Sequence, residues 1–394
     1  MRSPVCGHRM GMGVSKVDIH GFCDERFAPV REAFEHNFTE YGDVGASFAA
    51  TVAGEFVVDL WAGHADKART RPWEEDTIVN VYSTTKTMSF LCAFVLADRG
   101  LLDFHAKVTD YWPEYGQNGK ENTEVRHFMS HSAGVPGFDP KLADATGLYD
   151  WDACVDNLAE QAPWWEPGAK SGYHAVTQGY LIGELVRRIT GRTIGTFFRD
   201  EIAQPLGSDF HIGMSPSEFD RVAEMIPGEP AEGAQGFAPE PGSIPARVFA
   251  SAPAGTDAVN TPEWRRAEIP AAGGHGNARA VVRAQTPLAN DGKAFGIELL
   301  SPASCRLMLE EQTDGPDAVL TLPIRFGLGY AFPNQFMPMS PNQDAMFWGG
   351  AGGSTIVVDH KARVCLSYVM NQMKAAIVGD RRGGSLGKAF YASL

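Results

Sequence analysis

Strand-like segments stand near both ends of this chain, and helical patterns fill the middle. Residues 46–53 and 55–61 alternate as a first hairpin, and residues 354–359 and 364–370 form a second one close to the C-terminus. Two hairpins bury their apolar faces most simply by joining one sheet, with the intervening helices packed against it. The sequence therefore predicts an α+β fold, in which an antiparallel sheet built from both termini is flanked by helices and carries an inserted helical subdomain.

The expected organisation follows from this pattern. Residues 15–82 and 255–394 are assigned to the α/β sheet subdomain, and residues 83–254 to the mainly helical subdomain. Residues 226–276 are rich in Pro, Gly and Ala and show little periodicity, so we expect a long loop, which at this length is usually functional or disordered. Residues 1–14 lack the apolar core of a secretory signal and are expected to be a disordered tail.

Composition excludes some classes of binding partner. The formal net charge is −14 over 394 residues, which argues against a nucleic-acid partner and against binding to an anionic membrane surface, because both kinds of binding depend on clustered Lys and Arg. The longest wholly apolar run, residues 90–97, is far short of the roughly 20 residues that span a bilayer. The six cysteines are scattered, which favours free thiols in a cytoplasmic protein. A homo-oligomer is compatible with this composition.

Ser83 and Lys86 are the candidate nucleophile and base. They follow a β-prone run, residues 77–82, and open a helix-like run, residues 87–97. Residues at i and i+3 of a helix are neighbours, roughly 5–6 Å apart at Cβ, so the lysine can reach the hydroxyl. A catalytic serine needs such a base, and the free N–H groups at a helix N-terminus favour developing negative charge.

Two further segments fit the same chemistry. Tyr173 precedes a predicted helix at residues 176–189, and a phenol whose pKa is lowered by a nearby ammonium can relay protons. Residues 348–351 precede the strand at 354–359, and their glycines allow a close backbone approach. We expect the amide of Ala351 to complete an oxyanion hole with that of the candidate nucleophile.

Taken in order, these motifs resemble those of the serine β-lactamase and penicillin-binding-protein superfamily. The resemblance covers nearly the whole chain and is strongest to the family VIII carboxylesterases, which share the class C β-lactamase fold. It implies that Ser83, Lys86 and Tyr173 are catalytic and that the amides of Ser83 and Ala351 bind the oxyanion. It implies no metal and no organic cofactor.

The sequence departs from the β-lactamase pattern at two positions. The second lactamase motif is Tyr-x-Asn, and Ala175 here replaces the amide; the third is Lys-Thr-Gly, and Trp348 replaces the lysine that helps to bind a substrate carboxylate. Both changes favour neutral esters over anionic β-lactams. The candidate substrate-binding residues are Trp348, Gly349, Gly350, His174 and His275.

The sequence thus predicts a serine hydrolase that cleaves small-molecule carboxylic esters or lactones through an acyl-enzyme on Ser83. β-Lactam hydrolysis, amide hydrolysis and acyl transfer are alternatives on the same fold. A non-catalytic binding protein is the alternative from another class, although the intact Ser83, Lys86 and Tyr173 argue against it.

Two other motifs are weaker. Residues 383–387 spell the Gly-x-Ser-x-Gly elbow, but that mechanism needs an acid and a histidine downstream, and no histidine follows. The same argument disposes of a second Ser-x-x-Lys, at residues 385–388. His127 and His131 are four residues apart and would share a helix face as a zinc pair does, but Phe128 stands where a zincin needs glutamate, so we expect a structural pair.

Overall fold

The protein is built around a nine-stranded antiparallel sheet. The structure is a computed structural model, which describes residues 17–228, 239–253 and 255–394. The tail expected at residues 1–14 lies outside the described residues. The strands are β1 Ile19–Cys23, β2 Gly45–Val52, β3 Glu55–Gly63, β4 Val79–Asn80, β5 His211–Ile212, β6 Gly274–Gly276, β7 Lys293–Ala294, β8 Ile297–Glu298, β9 Thr313–Pro316, β10 Pro323–Phe326, β11 Ala331–Phe332, β12 Met346–Gly349, β13 Thr355–Asp359 and β14 Val364–Met370. The large sheet runs in the order β1-β3-β2-β14-β13-β12-β11-β10-β9, and β4-β6-β5 and β7-β8 form two small sheets.

The sheet is built from both ends of the chain, as the sequence predicts. The hairpin β2–β3 and the hairpin β13–β14 are both present, and β2 pairs antiparallel with β14 along its whole length. In this pairing Ser47 lies opposite Val369 and Thr51 lies opposite Cys365. The α+β prediction is therefore confirmed. The seam between the two hairpins is the pairing of β2 with β14, and both strands are almost wholly buried.

The helices are α1 Ala28–Thr39, α2 Thr85–Asp98, α3 Val125–Met129, α4 Trp151–Glu160, α5 Thr177–Thr190, α6 Ile194–Phe198, α7 Gln204–Leu206, α8 Ile244–Ser251, α9 Thr256–Val259, α10 Pro262–Arg266, α11 Ala278–Gln285, α12 Pro302–Leu307 and α13 Arg381–Ala392. Of these, α2 is buried along nearly its whole length, from Thr85 to Leu96, and packs against α5 and α6. A helix that is apolar on all sides lies in a core. None of the helices described is long and apolar enough to cross a membrane.

Helices cover both faces of the large sheet. Side chains alternate between the two faces of a strand, so Cys365 and Tyr368 of β14 point in opposite directions. Cys365 contacts Val282 of α11, whereas Tyr368 lies against Gly383 of α13. The C-terminal helix α13 also packs on α1, where the rings of Phe27 and Phe390 stack 4.7 Å apart. The helices α11 and α13 therefore lie on opposite faces.

The described part of residues 226–276 contains three short helices, α8 to α10, where the sequence suggested a structureless loop. Ser243 caps α8 and Thr261 caps α10, each with a side chain that accepts from a backbone N–H. Both helices carry proline in their first turn, where a missing N–H has no intrahelical partner to lose. Two of the prolines in this segment, Pro245 and Pro262, are thus helix-starting residues.

We predict that Phe94→Ala lowers the free energy of unfolding by about 3–5 kcal/mol, because it opens a cavity in α2. Phe94 is fully buried, and its ring lies 4.9 Å from that of Phe104. Denaturant unfolding of the purified variant measures the change. Leu101→Ala, at a residue that is 50% exposed, is the control and should change stability by no more than about 0.5 kcal/mol. Equal effects at the two positions would contradict the buried placement of α2.

Candidate active site

Ser83 lies at the junction between β4 and α2. The strand ends at Asn80, and a single 3₁₀ turn, Tyr82–Thr84, leads into the helix. Tyr82 adopts a left-handed backbone (φ 47°), an uncommon conformation for a residue of its size, and it turns the chain sharply just before the serine. Ser83 is partly exposed. Its backbone N–H lies at the start of the helical segment, where the first N–H groups have no carbonyl of a preceding turn to donate to.

Lys86 is fully buried beneath Ser83. Its Nζ lies 3.1 Å from Ser83 Oγ and donates to the main-chain oxygens of Ala175 (2.6 Å) and Ala271 (2.9 Å). A carbonyl can only accept, so these two oxygens hold two N–H groups of the amine. In the neutral amine the lone pair is then left for the third direction, towards Ser83 Oγ. The arrangement suits a base that takes the proton of the hydroxyl.

The electrostatics of the site support the neutral amine. Burial holds the pKa of Lys86 well below its ordinary value, because the ammonium loses its hydration. This reduces the free energy needed to keep the amine in the form that accepts a proton. The second Ser-x-x-Lys differs: Ser385 lies within α13 and donates to the main-chain oxygen of Arg382, while Lys388 is exposed.

Tyr173 is buried beside the lysine, and Lys86 Nζ lies 4.7 Å from the centre of its ring. Its hydroxyl forms no hydrogen bond with any described residue. Burial raises the pKa of Tyr173, and the nearby Ser83 and Trp348 offset this only in part. The expectation that an ammonium lowers the phenol pKa is therefore wrong here, since desolvation dominates both groups. Tyr173 is a neutral phenol that can donate a proton.

The backbone around Tyr173 is held by three consecutive hydrogen bonds. The N–H of Gly172 donates to the main-chain oxygen of His131 (2.9 Å), that of Tyr173 to Asp317 Oδ1 (3.0 Å), and that of His174 to His131 Nδ1 (3.2 Å). Asp317 and His131 thus fix the position of the phenol. Sequence reasoning did not single out Asp317, and its place in an aperiodic segment gave no signal.

His131 is a neutral residue of the core. Its Nδ1 accepts a hydrogen bond, so the proton of the neutral ring is on Nε2. Burial holds its pKa well below the ordinary value, because the charged ring would lose its hydration. His131 lies beyond the end of α3 at Met129 and has a left-handed backbone (φ 57°), so it does not share a helix face with His127. Among the described residues no group of three or more His, Cys, Asp or Glu side chains could hold a metal ion.

The turn between β12 and β13 lies directly against Ser83. In this turn, residues 350–353, the N–H of Gly353 donates to the oxygen of Gly350 (3.2 Å), and the N–H of Ala351 donates to no described residue. A Cβ at Gly350 would overlap the oxygen of Val81 and come within 3.2 Å of the Ser83 nitrogen, so only glycine allows this approach. At Gly349 a Cβ would lie 2.7 Å from the backbone of a neighbouring segment.

Trp348 forms an aromatic wall of the site. It is 1% exposed, and its ring lies 5.2 Å from that of Tyr173 and 5.4 Å from that of Phe326. The indole N–H has no acceptor among the described residues. The lysine position of the lactamase motif is thus filled by an apolar group with one unsatisfied donor.

The two other histidines singled out from the sequence are fully buried. His174 has both ring nitrogens on the backbone, with Nδ1 2.7 Å from the oxygen of Gly172 and Nε2 accepting from the N–H of Val135 (3.3 Å). Burial lowers the pKa of His174 to about 3. His275 lies in β6 and is paired with β4 and β5, with Nδ1 2.9 Å from the oxygen of Gly273.

Three residues that sequence reasoning missed meet beside the nucleophile. The hydroxyl of Tyr82 donates to Met373 Sδ (3.6 Å), and so does that of Thr256 in α9 (3.8 Å). Met373 also lies against the turn 350–353, since a Cβ at Gly352 would fall 2.8 Å from its side chain. The segment 226–276, expected to be a long loop, therefore contributes α9 to the rim of the site.

Comparison with known proteins agrees with this fold. Residues 30–384 match the protein family described as Beta-lactamase. An esterase/β-lactamase named LipL, from Mycobacterium tuberculosis, is 35% identical over 389 residues, covering 94% of this chain and 86% of that protein. The chain therefore belongs to the β-lactamase family, and the resemblance inferred from its motifs is confirmed.

Two solved structures are similar over almost the whole chain. The crystal structure of a family VIII carboxylesterase has a TM-score of 0.89 at 40% identity and covers 96% of this chain and 100% of that one. A penicillin-binding protein homologue from Caulobacter crescentus has a TM-score of 0.87 at 41% identity, with the same coverage. Relatives of both kinds thus share this architecture.

We predict that an organophosphonate labels Ser83, at a rate that rises with pH and levels off below the ordinary lysine pKa of 10.5. The rise reports deprotonation of Lys86, whose neutral form activates the hydroxyl. Lys86→Arg, which keeps a charge that cannot be lost, should slow labelling by about 10²–10⁴-fold and remove the rise. Mass spectrometry locates the adduct and gives the rate at each pH. Labelling at Ser385, or an unchanged profile in Lys86→Arg, would contradict the assignment.

Proposed function

We propose that this protein is a serine hydrolase that cleaves carboxylic esters or lactones through an acyl-enzyme on Ser83. The observation that carries the proposal is the buried amine of Lys86, held by two carbonyls so that its third direction faces Ser83 Oγ. Relatives with the words esterase and carboxylesterase in their names, at 35% and 40% identity, support the same reaction.

Acylation starts when Ser83 Oγ attacks the substrate carbonyl and Lys86 takes its proton. The negative charge that develops on the carbonyl oxygen is stabilised by the amides of Ser83 and Ala351. Tyr173, kept protonated by burial, donates its proton to the departing alkoxide and recovers one from the lysine. In deacylation the same groups act in reverse on a water molecule, which releases the acid and restores the serine.

The surroundings favour a neutral substrate. Ala175 is partly exposed next to the lysine and offers only its main-chain oxygen, which Lys86 already occupies. Trp348 places a buried apolar ring where the lactamase motif has a cation. A site without polar anchors for a charged bicyclic ring selects poorly for it, whereas an apolar wall suits acyl and aryl groups.

Other reactions on this fold remain alternatives. β-Lactam or amide hydrolysis is supported by the names of two relatives, an esterase/β-lactamase and a penicillin-binding protein homologue. Acyl transfer to an alcohol would use the same acyl-enzyme, with the alcohol in place of water. A non-catalytic role accords poorly with a fully buried lysine. Burying an amine without a charge partner costs free energy, and such groups cluster at functional sites.

We also propose that the protein works in the cytoplasm, which the cysteines support. The five cysteines in the described part of the chain are all free, and four of them are buried. Thiols persist in a reducing compartment. A stable activity in the presence of a strong thiol reductant is the expected result, and its loss would contradict this placement.

We predict that kcat/KM for a short-chain aryl ester exceeds that for a chromogenic cephalosporin by at least about 10²-fold, the scale of two lost polar contacts. Steady-state kinetics with both substrates tests this. Ala175→Asn combined with Trp348→Lys restores the lactamase residues and should narrow the ratio. Equal efficiency on the two substrates in the wild-type protein would move it out of the esterase branch.

We predict that Tyr173→Phe slows hydrolysis of alkyl esters by about 10²–10⁴-fold and that of nitrophenyl esters much less. An alkoxide leaves poorly without a proton, whereas a nitrophenolate leaves without one, so the loss should grow with the basicity of the leaving group. Measuring kcat over a series of esters with one acyl group gives this dependence. A uniform loss across the series would instead indicate that Tyr173 acts on the nucleophile.

A further inference from the structure

The corner of the turn 350–353 is fixed by its main chain. Gly352 has a positive φ of 89°, which the third position of a type II turn requires. Its N–H donates to the oxygen of Ala376 (2.9 Å), and its oxygen accepts from the N–H of Lys374 (3.0 Å). The residue next to it is Ala351, the second candidate donor of the oxyanion hole. Whatever holds Gly352 therefore also sets the direction of that donor.

Arg382, in the first turn of α13, is a third partner of this corner. It is 1% exposed, and its Nη2 donates to the oxygen of Gly352 (2.6 Å). Its Nη1 donates to Asp43 Oδ1 (2.7 Å) and to the oxygen of Gln372 (2.8 Å). Asp43 is also buried and accepts from the hydroxyl of Tyr368 (2.6 Å). The rigid, planar guanidinium of Arg382 thus connects the turn, through Asp43, to Tyr368 of the central strand β14.

Ser354 attaches the other end of the turn to the nucleophile. Its Oγ donates to the oxygen of Val81 (2.9 Å) and lies 3.0 Å from Thr84 Oγ1, which must then be the donor of that second bond. These two residues stand on either side of Ser83. The main-chain oxygen of Ser354 accepts from the N–H of Gly350 (2.9 Å). The turn and the nucleophile are therefore joined through one buried side chain.

We infer that Arg382 and Ser354 are positioning residues of the oxyanion hole, which hold the N–H of Ala351 in a fixed relation to that of Ser83. Neither side chain touches the reacting atoms. The inference rests on the proposed function, in which these two amides bind the oxyanion. Oxyanion donors act only when placed in advance, and a misplacement of 1 Å can lower a rate by about 10²-fold.

Ser354→Ala and Arg382→Met test the inference. Each should lower kcat for an aryl ester by about 10- to 100-fold and leave KM within about two-fold, because transition-state binding is lost and substrate binding is not. Arg279→Met is the matched control. Arg279 belongs to α11, on the opposite face of the sheet, and it pairs with Asp59 and Glu75. It should lower the Tm and leave kcat unchanged within about two-fold.

Removing Arg382 alone leaves the carboxylate of Asp43 buried without its cation, which can prevent folding. Arg382 also pairs with Asp380, so the triple variant Asp43→Asn, Asp380→Asn and Arg382→Met removes all three charges and should recover folding without recovering kcat. Ser354→Ala replaces only a hydroxyl and provides a second, independent route. Wild-type kcat in a folded Arg382 variant and in Ser354→Ala, or an equal loss of kcat in Arg279→Met, would overturn the inference.

A second readout separates this inference from the proposed function. Phosphonylation of Ser83 also places a polarised oxygen in the oxyanion hole, so its second-order rate constant should fall in Ser354→Ala and Arg382→Met and not in Arg279→Met. A wild-type protein that is labelled and hydrolyses no ester would overturn the proposed function alone. Unchanged labelling rates in the Ser354 and Arg382 variants would overturn the inference alone.

Discussion

The buried amine of Lys86 is the interaction on which the site depends. Among the described residues no carboxylate pairs with this amine, and two main-chain oxygens accept hydrogen bonds from it, one from Ala175 just before α5 and one from Ala271 just before β6. These oxygens come from segments far apart in the chain, so the base exists only when both segments are packed on α2. The same packing removes water, which lowers the pKa of the lysine and raises that of Tyr173. Burial of this region thereby shifts the pKa values of both groups in the proposed acid–base pair.

The site also depends on the seam between the two ends of the chain. Ser83 follows β4, which lies in the small sheet β4-β6-β5, whereas the turn 350–353 joins β12 to β13 of the large sheet. β13 pairs with β14 and β14 pairs with β2, so the turn is placed by the strands that join the two ends of the chain. Gly350 comes close to the nitrogen of Ser83 because a glycine has no Cβ that would overlap the oxygen of Val81.

The neutral phenol gives the proposed mechanism its direction. In that mechanism a phenolate at Tyr173 would compete with the lysine as base, whereas a phenol whose hydroxyl has no hydrogen-bond partner among the described residues can protonate a leaving group. The aromatic shell of Trp348, Phe326 and His131 keeps water from that hydroxyl, and His131 itself stays neutral because it is buried. The division of labour between the two residues is thus a consequence of desolvation rather than of their identities alone.

The sequence by itself determined the features that depend on local patterns. Alternating residues predict the two hairpins, the three-residue spacing predicts that Lys86 reaches Ser83, and the glycines at 349 and 350 predict a close backbone approach. Tertiary structure decided the rest. The raised pKa of Tyr173 arises from burial, and the contacts of Asp317 and Arg382 bridge 144 and 30 residues of sequence. Burial and long-range hydrogen bonds leave no periodic trace in a sequence, because they depend on which segments meet once the chain has folded.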